Sequence, residues 1–138
     1  MKLSGYSDTP LVKKLGIKEG FKISIINNPE DYFSLLTGLP DQIEIINDRK
    51  SKKDLIHFFV KKEAELLENI LSLKSQVKSN GMIWISWPKK SSKVATDITE
   101  DVIRNIALVN GLVDIKVCAI DEVWSGLKLV IPVKERKL

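Results

Sequence analysis

The chain has 138 residues, of which 43% are hydrophobic and 29% charged, which is the balance of one globular domain rather than of a disordered or fibrous protein. No apolar run approaches the ~20 residues that cross a bilayer, and residues 1–10 lack the apolar core of a signal peptide, so we expect a single cytoplasmic domain over residues 1–138. The single cysteine, Cys118, excludes an intrachain disulfide, and with one histidine, His57, we expect no metal site.

The net charge of +4 raises the question of a nucleic-acid partner, because clustered lysine and arginine attract phosphate. Two basic runs, at residues 49–53 and 134–137, contain no interleaved aromatic side chains of the kind that stack on bases. We therefore interpret them as a solvated loop and a frayed tail. Nucleic-acid association through residues 49–53 stays open as the less favoured alternative.

The first predicted elements are short. In chain order they are a helix over residues 10–15, a strand over residues 21–27, a helix over residues 28–36 and a strand over residues 43–46. Pro10 at a first helical position and Gly16 just past the last one give the first helix its limits. Gly38 ends the second helix in the same way.

The middle of the chain gives the clearest helix. Residues 55–60 are apolar on both faces, as expected of a parallel strand covered by helices on either side. In residues 62–78 the apolar positions follow three-and-four spacing, which predicts an amphipathic helix. Asn80 and Gly81 then favour a left-handed helix end, and residues 82–87 predict another buried strand.

The last third of the chain ends in two predicted strands that follow each other with only a short connection between them. Its predicted elements are a helix from an Asp97 N-cap to Asn110 and strands over residues 115–119 and 127–133. Asp97 followed three residues later by Glu100 is a variant of the capping box. The connection between the two strands is too short for a crossover helix, so we expect an antiparallel hairpin. Pro132 cannot donate a ladder hydrogen bond, which places the final strand at or near a sheet edge.

These elements predict a three-layer, Rossmann-like α/β sandwich with a mostly parallel sheet and a C-terminal antiparallel hairpin. The layout resembles the class I methyltransferases: residues 54–60, the long helix and residues 78–86 look like the latter half of that fold. A more specific resemblance, to a family of short bacterial proteins of unknown function, rests on residues 5–7, 10–11, 14–17, 86–90, 95–97, 99–102 and 113–129. That family implies no activity.

Ligands of open α/β sheets bind beyond the carboxyl ends of the strands, so any function is expected in the loops there. Five predicted loops meet this condition. They follow Asn27, Ile46, Val60, Trp87 and Asp121.

The loop after the first strand, residues 27–31, reads NNPED where a nucleotide site needs glycines that expose backbone N–H groups. Pro29 removes one N–H, and two carboxylates take the positive end of the following helix, which argues against a pyrophosphate ligand. S-adenosylmethionine carries no phosphate, so Asn27, Asn28 and Asp48 could still hold it. Asp48 is more simply interpreted as a turn aspartate.

The loop from Trp87 to Thr96 carries three lysines near the centre of the expected binding edge. An anionic ligand could use Lys89 and Lys90, with Thr96 or Ser91 as hydrogen-bond donor. The alternative interpretation is that these lysines keep a surface loop solvated.

Asp121 and Trp124 lie at the predicted hairpin turn, where Asp121 and Glu122 could do acid–base work. A solvated turn with Trp124 packed over the core is the simpler interpretation. His57, inside an apolar strand, is expected to be a hydrogen-bonded core residue, and Cys118 a small core side chain. No Ser-His-Asp or Cys-His arrangement fits, so we predict no catalytic residue.

The sequence thus predicts a domain without a cofactor that uses the edge at Lys89 and Trp124 to bind a small anionic ligand or a partner protein. The alternative is a reduced methyltransferase with S-adenosylmethionine as its cofactor. Both rest on analogy between folds.

Overall fold

The computed structural model describes residues 9–136, so the stretch at residues 5–7 that carries part of the family resemblance lies outside it. In chain order the elements are α1 (Leu11–Leu15), β1 (Lys22–Ile26), α2 (Tyr32–Leu35), β2 (Glu44–Ile45), β3 (Lys53–Phe59), α3 (Glu63–Gln76), β4 (Val77–Pro88), α4 (Glu100–Val109), β5 (Val113–Ala119) and β6 (Trp124–Val130). Single 3₁₀ turns follow β4, at Lys90–Ser92, and β6, at Val133–Glu135.

The strands of the described residues form one sheet in the order β2-β1-β3-β4-β6-β5. β1 pairs in parallel with β2 and β3, and β3 pairs in parallel with β4. β6 lies antiparallel between β4 and β5, because the short connection from β5 leaves room only for a hairpin. The predicted mostly parallel sheet with a C-terminal antiparallel hairpin is confirmed.

Helices cover both faces of the sheet, which gives three layers. α3 and α4 pack on one face, over side chains that include Phe58 and Ile83. α1 and Tyr32 of α2 pack on the other face, over Phe59 and Trp84. Neighbouring residues of a strand point to opposite faces, so β3 contributes Phe58 to one core and Phe59 to the other.

The parallel connection from β2 to β3, residues 46–52, contains no helix. It is held by its basic run instead. Lys52 Nζ donates to the carbonyl oxygen of Ser75 at the end of α3, at 2.5 Å. Lys53 is fully buried, and its Nζ donates to Gln76 Oε1 at 3.0 Å. The predicted solvated loop is therefore wrong for Lys53, because this lysine crosses into the core to satisfy polar groups at the end of α3.

Gly81 has a different role from the one predicted. α3 ends at Gln76 and β4 begins at Val77, so Asn80 and Gly81 lie inside a strand and do not form a left-handed helix end. A Cβ on Gly81 would lie 2.8 Å from Val77 Cγ2 and 2.9 Å from the carbonyl oxygen of Asp54. The glycine is needed because β3 and the first residues of β4 approach closely here.

Pro132 lies beyond the final strand. β6 ends at Val130 and is the neighbour of the edge strand β5, so it lies near the edge, as predicted. The missing N–H of Pro132, from which this position was predicted, is not its cause. Pro132 follows the strand, so its missing N–H removes no hydrogen bond of the sheet.

Candidate functional site

The order of the strands creates a cleft between β1 and β3. The chain leaves β1 towards β2 and leaves β3 towards β4, and ligands of open α/β sheets bind where connections diverge in this way. A cleft of about 530 Å³ opens at this point, beyond the carboxyl ends of the two strands. This rim cleft is lined by Asn27, Asn28, Pro29, Glu30, Phe59, Val60, Lys61, Lys62, Glu65 and Trp124.

Asn27 forms the wall of the rim cleft at the end of β1. Its φ of 60° is left-handed, a conformation that asparagine adopts more readily than most residues with a side chain. Its Nδ2 donates to the carbonyl oxygen of Phe59 at 3.2 Å and to Glu65 Oε2 at 3.0 Å. Asn27 thus takes a backbone conformation that glycine favours, while its side chain ties β1 to β3 and α3.

Trp124 brings an aromatic ring to the cleft from the start of β6. The ring contacts Phe59 edge to face, with centroids 5.0 Å apart. Asp121 Oδ1 accepts hydrogen bonds from the backbone N–H groups of Val123 and Trp124, both at 2.8 Å. Asp121 therefore closes the turn that positions Trp124, and it is not itself part of the cleft lining.

A buried polar chain lies beneath the cleft. His57 Nδ1 is 2.8 Å from the Tyr32 hydroxyl, and His57 Nε2 is 2.7 Å from Ser86 Oγ. Phe59, which lines the cleft, stacks on the His57 ring at 4.2 Å. Burial lowers the pKa of His57 to about 3 and raises the pKa of Tyr32, so both groups are neutral near pH 7. The structure agrees with the prediction that His57 is a hydrogen-bonded core residue.

The charged side chains of the rim cleft are of both signs. Lys61 and Lys62 come from the β3–α3 connection, Glu30 from the loop after β1, and Glu65 from the first turn of α3. Lys61 and Lys62 are exposed, so their ammonium groups can reach a bound ligand. The cleft therefore offers cations and carboxylates within one small volume.

The loop from Trp87 to Thr96, the lysine loop, makes hydrogen bonds to two segments that contribute to the cleft. The backbone N–H of Lys89 donates to the Val123 carbonyl at 2.7 Å, and Thr96 Oγ1 donates to the Lys61 carbonyl at 2.6 Å. Neither Lys89 nor Lys90 belongs to the cleft lining. The structure therefore places the predicted anion-binding lysines next to the cleft and gives Thr96 a supporting position.

The N-terminus of α3 is already occupied. Asp97 Oδ1 accepts a hydrogen bond from the Glu63 backbone N–H at 2.7 Å. Asp97 was predicted to cap α4, and that prediction is wrong: the N-cap of α4 is Thr99, whose Oγ1 accepts from the Val102 N–H at 3.2 Å. A carboxylate at the start of α3 competes with any phosphate for the positive end of the helix.

Trp87 and Asp48 lie away from the cleft. Trp87 packs in the core beneath α3 and α4, on the opposite face of the sheet from Trp124. Asp48 closes a turn by accepting hydrogen bonds from the N–H groups of Ser51, at 2.8 Å, and Lys50, at 3.1 Å. The hydrogen bond from the Ser51 N–H lowers the pKa of Asp48. The structure thus agrees with the interpretation of Asp48 as a turn aspartate.

Three of the residues predicted to form the site line the cleft together: Asn27, Asn28 and Trp124. The sequence did not single out Lys61, Lys62 or Glu65. The loop after Val60 was one of the five predicted binding loops, and this was the available signal. The chain contains 22 lysine and arginine residues, so residue type alone did not distinguish Lys61 and Lys62 from the other basic side chains.

Residues 9–136 contain neither a candidate membrane-spanning helix nor a candidate metal cluster. No helix in this range has the length and apolar character that a membrane crossing requires. The same range holds no group of three or more His, Cys, Asp or Glu side chains placed to share a metal ion.

The fold is similar to that of solved S-adenosylmethionine-dependent methyltransferases. A methyltransferase of this kind from Aquifex aeolicus is similar over 88% of each chain, with a TM-score of 0.63 and 14% identity. A putative methyltransferase from Thermoplasma acidophilum has a TM-score of 0.60 at 7% identity, over 95% of this chain and 78% of its own. Magnesium protoporphyrin IX methyltransferase from Synechocystis, with bound S-adenosylmethionine, has a TM-score of 0.56 at 14% identity, over 88% of this chain and 74% of its own. At such identities the similarity shows the fold alone.

The chain itself belongs to the DUF3052 family, described as proteins of unknown function, which matches residues 13–133. This confirms the resemblance to a family without an assigned activity. Comparison with curated proteins gave no match.

Proposed function

We propose that this protein binds a small zwitterionic molecule, one with both a cationic and an anionic group, in the rim cleft and does not transform it. The observation that carries the proposal is the charge arrangement of the cleft, with Lys61 and Lys62 facing the same volume as Glu30 and Glu65. A volume of about 530 Å³ is within the usual range for small-molecule sites.

The arrangement favours a zwitterion over the purely anionic ligand that Lys89 and Lys90 suggested. A ligand with only negative charge would meet the Glu30 and Glu65 carboxylates and be repelled by them. A ligand with an amine and a carboxylate can pair with both kinds of side chain. Trp124 adds an aromatic edge for the rest of the ligand.

Methyl transfer from S-adenosylmethionine is the second candidate. The fold of the chain and the bound cofactor of the Synechocystis enzyme support it. S-adenosylmethionine is itself a zwitterion with an additional cationic sulfur, and it carries no phosphate. Against it stands the loop after β1, where the Asn27 side chain and Pro29 take the place of the bare backbone that a nucleoside approaches closely.

Isothermal titration calorimetry with three probes separates these candidates. The probes are L-methionine, a simple zwitterion; S-adenosylmethionine; and NADH, which carries a pyrophosphate and no cationic group. The proposal predicts that methionine and S-adenosylmethionine bind within about tenfold of each other, because the shared amino-acid group supplies the affinity, and that NADH does not bind. Micromolar binding of S-adenosylmethionine with a much larger preference over methionine would favour the methyltransferase. If neither zwitterion binds, both candidates are wrong.

Paired variants locate the binding. The double variant Lys61→Gln/Lys62→Gln is expected to weaken zwitterion binding about tenfold, since it removes the cations of the cleft. The matched variant Lys89→Gln/Lys90→Gln removes the same number of charges from the neighbouring loop and should change affinity by less than about twofold. The reverse pattern would return the site to the lysine loop.

A further inference from the structure

A second, larger cavity lies at the opposite end of the sheet from the rim cleft. Its volume is about 700 Å³, and it opens between the last turns of α3, the start of β4 and the segment that follows β6. We call it the amino-end groove, because the parallel strands β3 and β4 begin there. Nothing in the proposed function of the rim cleft uses it.

The floor of the amino-end groove is apolar. Leu71 of α3, Val77 at the start of β4 and Ile131 after β6 line it. Leu71 is 62% exposed, although it lies on a helix whose other face is fully packed. Leu71, with Val77 and Ile131 beside it, gives the groove apolar surface against which an apolar group can pack.

Three lysines border this floor: Lys52, Lys74 and Lys78. Each ammonium is held in place by one partner. Lys52 donates to the Ser75 carbonyl at 2.5 Å, Lys74 donates to the Asn110 carbonyl at 3.1 Å, and Lys78 pairs with Asp54 at 3.0 Å. An ammonium has three N–H donors, so each lysine keeps donors for a ligand.

The charge balance of the groove is positive. Among the described residues, the Glu135 carboxylate lines the groove and the Asp54 carboxylate pairs with Lys78, against three lysines. Two of these lysines, Lys52 and Lys74, bond to neutral carbonyl oxygens and keep their full charge. An apolar floor with a cationic border is complementary to a molecule with an apolar chain and a negative end.

We propose that the amino-end groove binds a free amphiphilic carboxylate, an unbranched acyl chain of medium length with an ionised carboxyl group. The chain lies along Leu71, Val77 and Ile131, and the carboxylate accepts hydrogen bonds from the lysine ammonium groups. A volume of about 700 Å³ accommodates such a chain without further opening of the fold. The site is separate from the rim cleft, so its test does not depend on the proposed function.

Calorimetry with three probes of equal chain length, each below its micelle-forming concentration, tests both parts of the proposal. Decanoate is expected to bind. Decanol lacks the negative charge and should bind at least about fivefold more weakly, and decyltrimethylammonium should not bind, because the lysines repel it. Equal binding of decanol or decyltrimethylammonium would overturn the proposal, as would a lack of decanoate binding.

A matched pair of variants places the site. Leu71→Glu puts a carboxylate into the floor and should weaken decanoate binding about tenfold or more. Leu108→Glu makes the same change at a leucine that is 53% exposed on α4, outside the groove, and should leave the affinity within about twofold. Both sites are exposed, so circular dichroism should show intact folds. Equal effects of the two variants would overturn the proposal, and so would binding to anionic lipid vesicles in place of free decanoate.

Discussion

Asn27 Nδ2 donates a hydrogen bond to Glu65 Oε2 at 3.0 Å, across the point where the order of the strands reverses. This bond connects the end of β1 to the first turn of α3 and fixes one wall of the rim cleft. It also holds the Glu65 carboxylate at the cleft that Lys61 and Lys62 line. The conformation of Asn27 therefore helps to position one of the two carboxylates on which the proposed function rests.

The first prediction concerns the left-handed backbone of Asn27. Asn27→Ala loses two side-chain hydrogen bonds and must also hold a β-carbon at a φ of 60°, so we expect a loss of about 2 kcal/mol in the free energy of unfolding. Asn27→Gly loses the same bonds without the backbone strain and should cost about 1 kcal/mol. Urea denaturation measures both. An alanine variant as stable as the glycine variant would contradict this account of the turn.

The second prediction separates Asp121 as a positioning residue from a group that contacts the ligand. Asp121→Asn keeps an oxygen that accepts from the Val123 and Trp124 N–H groups, whereas Asp121→Ala removes it. We expect the alanine variant to change the near-ultraviolet dichroism of Trp124 and to weaken zwitterion binding, and the asparagine variant to do neither. A loss of binding in both variants would show that the charge of Asp121 acts on the ligand directly.

The third prediction is a dependence of stability on pH that arises from His57. Burial lowers the pKa of His57 from 6.5 to about 3, so the unfolded chain takes up a proton before the folded chain does. The stabilisation from the neutral ring is complete above pH 6.5 and is lost as the pH falls towards the folded pKa. The free energy of unfolding should decrease by up to about 1.4 kcal/mol per pH unit below pH 6.5.

Two variants isolate this proton. His57→Gln should have a flatter dependence on pH between pH 6.5 and about 5, where few other groups titrate. Ser86→Ala loses the hydrogen bond to Nε2 but keeps the buried ring, so it should retain the slope of the unmodified protein. Urea denaturation at several pH values gives the slopes. The same slope in all three proteins would assign the dependence to another group.

The fourth prediction compares two glycines that differ in why they are needed. Gly81→Ala places a Cβ 2.8 Å from Val77 Cγ2 and 2.9 Å from the Asp54 carbonyl oxygen, and we expect it to cost about 2 kcal/mol or more. Gly38→Ala meets no atom within 4 Å and pays only for its φ of 73°, which should cost about 1 kcal/mol. Thermal or urea denaturation ranks the two. A larger cost at Gly38 would contradict the close approach at Gly81.

The elements that depend on local pattern could be predicted from the sequence. The three-and-four spacing of apolar residues that include Leu66 and Ile70 is enough to predict α3, and the short connection between β5 and β6 is enough to predict a hairpin. Gly81 was misread because its reason is a contact with β3, far away in sequence. The same is true of Lys53, whose partner at the end of α3 could not be inferred from a basic run.

The part of the site that lies next to strand ends could be predicted from the sequence. Asn27 and Trp124 follow or begin strands, so their loops were expected at one edge of the sheet. Trp87 does not join Trp124 at the cleft. Trp124 pairs with Pro88, so Trp87, one residue earlier in β4, points to the opposite face of the sheet and into the other core. The pairing of β1 with β3 brings Lys61 close to Asn27. This pairing joins strands that are not consecutive in the sequence, so it could not be predicted from the local pattern of either strand.

The most direct test of the rim cleft is a two-dimensional ¹⁵N–¹H NMR titration of the intact protein with L-methionine. The account predicts that the backbone signals of Asn27, Lys61 and Glu65 and the indole signal of Trp124 shift together and saturate with one affinity. Shifts confined to residues 89–93 or to the amino-end groove, or no shifts at all, would contradict it.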